Sequence, residues 1–330
     1  MLLAAALLAG CSGDPDSGAG DAPTREPAAP AVSPPVASAP AGGVYPVPAP
    51  LTTLTTDPGS GFLAGLDPAG TGLVVLDPGT TPPTVHQVRL PTPARDLTAG
   101  TPGEFLAAGD GVIMRVDAAG RTVTEVAVDG DLQTARARPD GTLIAGTADG
   151  RVLVLDGTGK VRQTVTGLAS TDRIALTGDT LAVLDRRQTL LTEIEPGYEN
   201  LGLALRAGIG AANVIEAPDS RVVVTDPDSG QLLVFTTEPL VLRQRYPVGS
   251  SPYALAYDRG SDTVWVTCTQ SNEIVGYDLS TGAPREVDRY PTVRQPNAVT
   301  VDADTGDLYI GSATEPGLQR ISADQRERGQ

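Results

Sequence analysis

Histidine, tryptophan and lysine each occur once in 330 residues, cysteine and methionine twice, and phenylalanine three times. This scarcity excludes chemistry before any motif is sought. With His86 the only imidazole, a histidine-built metal site is ruled out, and a Ser-His-Asp triad would have to be assembled around that single residue. His86 sits in the alternating stretch Val85-His86-Gln87-Val88, which reads as a solvent-facing strand rather than a site. Two cysteines far apart, Cys11 and Cys268, give no disulfide framework, and Cys268 reads as a buried small hydrophobe. Positive charge is also short: 24 Lys and Arg face 40 Asp and Glu, for a net charge of −16. No basic run interrupts that excess, so nucleic acid is excluded as a partner. Lys160 is the sole lysine, a bias toward arginine that fits a GC-rich, actinobacterial genome.

Long apolar runs are missing as well. The longest opening run, Leu2 to Leu8, is far short of the about 20 residues a membrane-spanning helix needs. It ends in Leu8-Ala9-Gly10-Cys11, small residues before a cysteine. This end resembles the lipobox of bacterial lipoprotein precursors, although no basic residue precedes Cys11. The resemblance implies a signal peptide at 1–10, diacylglyceryl and acyl groups on Cys11, and a protein held on the outer face of the cytoplasmic membrane. Residues 11–48 then form a Pro/Ala-rich segment such as Pro27-Ala28-Ala29-Pro30, expected to be a disordered tether because it has no apolar face to bury.

From residue 49 to 322 the chain repeats. Seven short strands align, beginning at Phe62, Phe105, Leu143, Leu181, Val222, Val264 and Leu308, with spacings of 38 to 44 residues. A second strand follows each, many of them bounded by Asp/Gly turns such as Pro139-Asp140-Gly141. A period near 40 with short strands and no helical spacing is the signature of β-propeller blades, so the expected fold is all-β, seven blades of four antiparallel strands. After Ile321 only the polar tail 323–330 remains, so the last blade needs an outer strand from elsewhere, and Val44 to Val47 is the candidate.

The sixth copy carries Pro252-Tyr253-Ala254-Leu255-Ala256-Tyr257-Asp258, Thr263-Val264-Trp265-Val266-Thr267 and Asn272-Glu273-Ile274-Val275-Gly276-Tyr277-Asp278. The seventh repeats it as Pro296-Asn297-Ala298-Val299 and Leu308-Tyr309-Ile310-Gly311. These repeats resemble the YVTN family of β-propellers, with Trp265-Val266-Thr267-Cys268 in place of the name motif. That scaffold carries binding proteins and lactonase-like enzymes alike, so function must come from the site. The single tryptophan sets aside a quinone-cofactor propeller, and no cofactor is expected.

Aligning the first strand of each copy places Thr52, Arg95, Ala135, Arg173, Asn213, Tyr253 and Asn297 in a ring at the channel mouth, with Arg136 adjacent. No carboxylate falls on that ring. Arg95, Arg173, Asn213, Tyr253 and Asn297 are therefore the candidate ligand-binding residues, with guanidinium and amide donors suited to a carboxylate, phosphate or sugar acid. The competing reading pairs the arginines with Asp96 and Asp172. Acidic turns such as Asp302-Ala303-Asp304-Thr305-Gly306-Asp307 and Asp226-Pro227-Asp228-Ser229-Gly230 have the composition of calcium loops, but equally of tight turns, and no metal is expected. The expected function is a non-catalytic binding or scaffolding module for an envelope protein partner or a small anionic or carbohydrate ligand. One alternative is a lactonase-like hydrolase whose Asp96, Asp172 or Glu216 turns inward to hold a divalent cation. The other is a structural subunit of a membrane complex.

Overall fold

The computed structural model describes residues 23–80, 83–118, 122–195, 197, 200–280, 282 and 284–327. The expected signal peptide at 1–10 and Cys11 lie outside the described residues. Among these residues the chain forms twenty-six strands and one short helix, Ala323–Glu327, which is too short to cross a membrane.

Each repeat folds as an antiparallel meander because apolar residues alternate with small ones between Asp/Gly turns. In Gln231–Thr236, for example, Leu232, Leu233, Val234 and Phe235 are all buried between neighbouring sheets. The strands make six sheets rather than the seven expected: five are four-stranded and one is six-stranded. The difference arises where Glu104–Asp117 and Val123–Ala137 run 14 and 15 residues without a break. Gly111 and Gly130, at φ 71° and 124°, bend the backbone there without ending the ladder, where a stiffer turn would have separated two blades. Val123–Ala137 thus pairs with Glu104–Asp117 on one side and Leu143–Thr147 on the other.

The first strand of each repeat lies on the central axis. Seven chain segments, around Thr53, Leu97, Thr134, Ile174, Val214, Ala254 and Ala298, line one axial channel, each in contact with the next around a closed ring. Between the sheets, side chains from adjacent blades interdigitate. Val223, Leu232 and Val234 of one sheet pack with Val264, Val266 and Tyr277 of the next, and Trp265 fills the following gap with Ile310 and Ile321.

Closure of the ring comes from the N-terminal side. Gly43–Tyr45 adds to Leu318–Ile321 as the outer strand of the last sheet, with Val44 opposite Gln319. The expected donor, Val44 to Val47, overlaps it by two residues, and Val47 turns inward instead. Leu51, fully buried, then packs with Val47 and Leu54 against Ala298, Tyr309 and Leu318, so the first and last repeats share one core. The polar tail docks as well: Arg326 pairs with Asp258 at 3.1 Å and lies 5.1 Å above the Trp265 ring, an arrangement worth more to a buried guanidinium than to an exposed one.

Because Leu51 bridges the seam, Leu51→Ala should lower stability by about 2–5 kcal/mol. Urea denaturation followed by tryptophan fluorescence measures this directly.

Candidate functional site

In an antiparallel blade the second strand ends where the first begins, so residues just before the first strands and just after the second strands share one face of the disk. On that face the channel opens. Arg173 and Asn213 are the first residues of Arg173–Thr177 and Asn213–Ala217, and Tyr253 and Asn297 are the second residues of Pro252–Asp258 and Pro296–Val301. The structure brings these four expected residues and Thr52 together around the channel, with Asp96, Thr98, Thr134 and Arg136 deeper or beside them. Ala135 does not line it. Thr134 and Arg136, its neighbours on either side, do, since a one-residue difference in register turns a strand side chain to the opposite face.

Arg95 departs from its expected role. Its guanidinium makes a bidentate ion pair with Asp131, at 2.7 and 3.0 Å, and its side chain is about half exposed on the rim of a shallower depression beside the channel. Arg136 is likewise committed, to Glu216.

Arg173 is different. Its side chain donates to the backbone carbonyl of Asp172 at 2.8 Å, and among the described residues no carboxylate lies within ion-pair distance. The competing expectation of an Arg173 pair with Asp96 or Asp172 is therefore not met. Those two carboxylates act on it through space: burial works against the charge, but Asp96, Tyr253 and Asp172 outweigh it and hold the guanidinium above its ordinary pKa. A second arginine, Arg186, lines the same depression as Arg173. It is pushed below the ordinary arginine value, first by burial and then by repulsion from Arg173. Its Nη2 donates to the Ala28 carbonyl at 2.6 Å, while its Nε is buried without a partner. Two partly buried guanidiniums, neither in an ion pair with a carboxylate, thus line one depression, and the charge on Arg186, opposed by burial and by Arg173, is the one an anion there would relieve.

Arg186 was not among the expected site residues. It belongs to no motif, but the pairing of Arg173 with Leu184 fixes its place, and counting across the hairpin from a ring residue would have found it.

Each candidate acid has its own partner. Asp96 Oδ2 accepts from the Thr134 hydroxyl at 2.7 Å, and Asp172 Oδ2 accepts from Ser170 Oγ and from the Arg186 backbone N–H. Only Asp96 of the three lines the channel itself, Asp172 faces the outer depression, and Glu216 holds Arg136. Among the described residues no three His, Cys, Asp or Glu side chains converge as a metal cluster. The acidic loops are turns: Asp302 Oδ1 accepts the backbone N–H groups of Asp304 and Thr305, and Asp226 accepts those of Ile209 and Ser229. His86 lies half-buried opposite Val75 on an outer strand, away from the mouth.

Residues 25–41, within the stretch 11–48 expected as a disordered tether, are laid across this face. Arg25 pairs with Asp228 at 2.6 Å and its N–H donates to the Arg187 carbonyl. Ala31 N–H donates to Ser251 Oγ, Ser33 is buried between Thr269 and Gln295, Asn272 donates to the Pro34 carbonyl, and Ala41 N–H reaches Pro291. The segment lacks an apolar face, as its composition says. It is held by hydrogen bonds instead: proline-rich backbone has few N–H groups to satisfy but a full set of carbonyls, which accept from propeller side chains.

No family model and no curated protein matches this chain. Among solved structures it is similar to a chain of hydrazine synthase from Kuenenia stuttgartiensis, with a TM-score of 0.71 and 14% identity over 84% of this chain and 97% of that one. It is equally similar to a chain of a mitotic checkpoint complex, at TM-score 0.71 and 14% identity over 97% of this chain and 99% of that one. At such identity the likeness establishes the β-propeller fold and nothing of the chemistry.

Cys268 is fully buried and burial pushes its thiol up to about 12. Iodoacetamide at pH 8 should leave it unmodified in the native protein and alkylate it after unfolding in urea, as read by peptide mass spectrometry.

Proposed function

We propose that this protein is a non-catalytic binding module, tethered through lipid on Cys11 to the outer face of the cytoplasmic membrane, whose channel mouth takes a small anionic ligand. The observation that carries this reading is the pair Arg173 and Arg186: two partly buried guanidiniums lining one depression, neither in an ion pair with a carboxylate and one with a buried, unpartnered Nε. Arginine presents planar forked donors that match a carboxylate or phosphate, and such charge-assisted bonds are strongest where water is excluded. Beside Arg173 in the channel, Tyr253, Asn213 and Asn297 add polar groups of the kind that bind hydroxyls, which favours a sugar acid or a hydroxy-carboxylate over a bare inorganic ion.

The YVTN-like repeats and the lipobox-like start support an exported propeller. The hydrolase alternative draws no support from Asp96, Asp172 and Glu216, which are engaged by separate partners. The membrane-complex alternative needs a contiguous apolar rim, whereas the exposed large apolar side chains among the described residues are six, of which Val32, Val36 and Val44 lie on the N-terminal stretch and Val161, Leu203 and Ile209 on other repeats.

Titration calorimetry with citrate, phosphate and glucuronate tests the site. Arg173→Gln should weaken binding about ten- to hundredfold, the equivalent of about 1.5–3 kcal/mol for a charge-assisted bond. Arg95→Ala, whose partner is Asp131, should leave it within about twofold. Equal losses from both variants, or none from Arg173→Gln, would overturn the mouth as the site.

A further inference from the structure

We infer that the N-terminal strap, residues 25–33, positions the mouth site from outside its lining, holding Arg186 and, through Gln295, Asn297 in the places from which they meet the anion. The inference rests on the anion-binding reading above and adds to it the segment that sets the affinity.

Arg186 makes the need plain. Next to Arg173 it carries a like charge in a desolvated place, and repulsion favours swinging its long side chain out to water. Among the described residues, the one acceptor holding its guanidinium is the Ala28 carbonyl of the strap. That bond uses Nη2 and leaves the rest of the guanidinium, which lines the depression, without a carboxylate. On the opposite side of the mouth, Gln295 Nε2 donates both to the strap carbonyl of Ala31 and to Asn297 Oδ1, each at 3.0 Å. The Gln295 side chain is itself fixed by the strap, since its Oε1 accepts from Ser33 N–H at 2.8 Å and its backbone N–H donates to Ser33 Oγ at 3.1 Å. Gln295 holds a left-handed backbone, φ 52°, a conformation a non-glycine residue keeps only when its surroundings fix it. Two residues of the mouth, on opposite sides, are therefore held by one extended segment pinned at its start by Arg25 to Asp228 and at its end by Ser33 to the Thr269 carbonyl.

No strap residue lines the depression that contains Arg173 and Arg186, which Thr52, Arg95 and Gln133 border on the propeller side. The strap therefore positions residues of the site without lining it. By reciprocity, if the strap raises affinity for the anion, the anion must stabilise the strap.

Hydrogen exchange on the full-length protein reads this linkage. The Arg25, Ala31 and Ser33 amides each have a partner on the propeller, so they report strap docking. With saturating citrate, exchange over residues 25–34 should slow by about threefold or more, with no change in Arg173→Gln or in the outer strand around His86. A second variant, Arg25→Glu with Pro27→Gly and Pro30→Gly, removes the pin and the stiffness while keeping Gly43–Tyr45 and the ring closure intact. Its citrate affinity should fall about threefold or more with little change in melting temperature. Citrate binding that depends on Arg173 but leaves strap exchange unchanged, or speeds it, would overturn the inference while sparing the site. If citrate, phosphate and glucuronate all fail to bind the wild-type protein, the site reading fails and this inference falls with it.

Discussion

Everything at the mouth depends on closure of the ring, and closure depends on three residues. Gly43–Tyr45 supplies the outer strand that the last repeat lacks, so the chain is sealed by backbone hydrogen bonds between its two ends. An open arc of blades would leave the apolar faces of the first and last sheets uncovered and would let the inner segments splay. Arg173, Asn213, Tyr253 and Asn297 come from four different repeats, and only a closed ring fixes their separations. Closure has a second effect. The chain must arrive at the outer rim of the last sheet, and the residues ahead of that strand run back across the mouth face rather than away from it.

The mouth itself is defined by an electrostatic imbalance. In a protein with net charge −16, most arginines find a carboxylate: Arg95 finds Asp131, Arg136 finds Glu216, Arg320 finds Asp307 and Arg326 finds Asp258. Arg173 and Arg186, partly buried in one depression, do not. A protein with forty acidic residues has no shortage of partners to place there. Asp96 and Asp172 support Arg173 only through space, and Arg186 is left opposed by burial and by its neighbour, a local cost of the kind that marks a site organised for something that binds.

The fold was largely legible in the sequence because its information is periodic. Strand pairs recurring every 38 to 44 residues, with Asp/Gly turns, required no tertiary knowledge to read as blades. What periodicity could not show was where two blades fuse. Asp110-Gly111 and the stretch around Gly130 look like any other turn, yet there the backbone keeps its ladder and the sheets number six. The ring residues were legible through alignment of first strands, to within one position at Ala135 and at Arg95, where the neighbouring Asp96 lines the channel and puts on it a carboxylate that the alignment had left off. Arg95 and Arg173 were indistinguishable by that alignment. What separates them is a carboxylate, Asp131, from the next repeat, and this is a tertiary fact. The Pro/Ala segment was misjudged for a physical reason: apolar burial is a poor guide to a strand-like segment whose carbonyls are all available, and Arg186, Gln295 and Asn272 are donors waiting on the surface it crosses.

The central claim is that Arg173 and Arg186 form an unpaired cationic site which an anion completes. A crystal structure of the full domain grown with citrate tests it most directly. The account predicts citrate density bridging the Arg173 and Arg186 guanidiniums, with the Ala28 carbonyl still on Arg186 Nη2. Contradiction would be a mouth in which Arg173 is closed onto Asp96 or Asp172 and citrate is bound elsewhere or not at all.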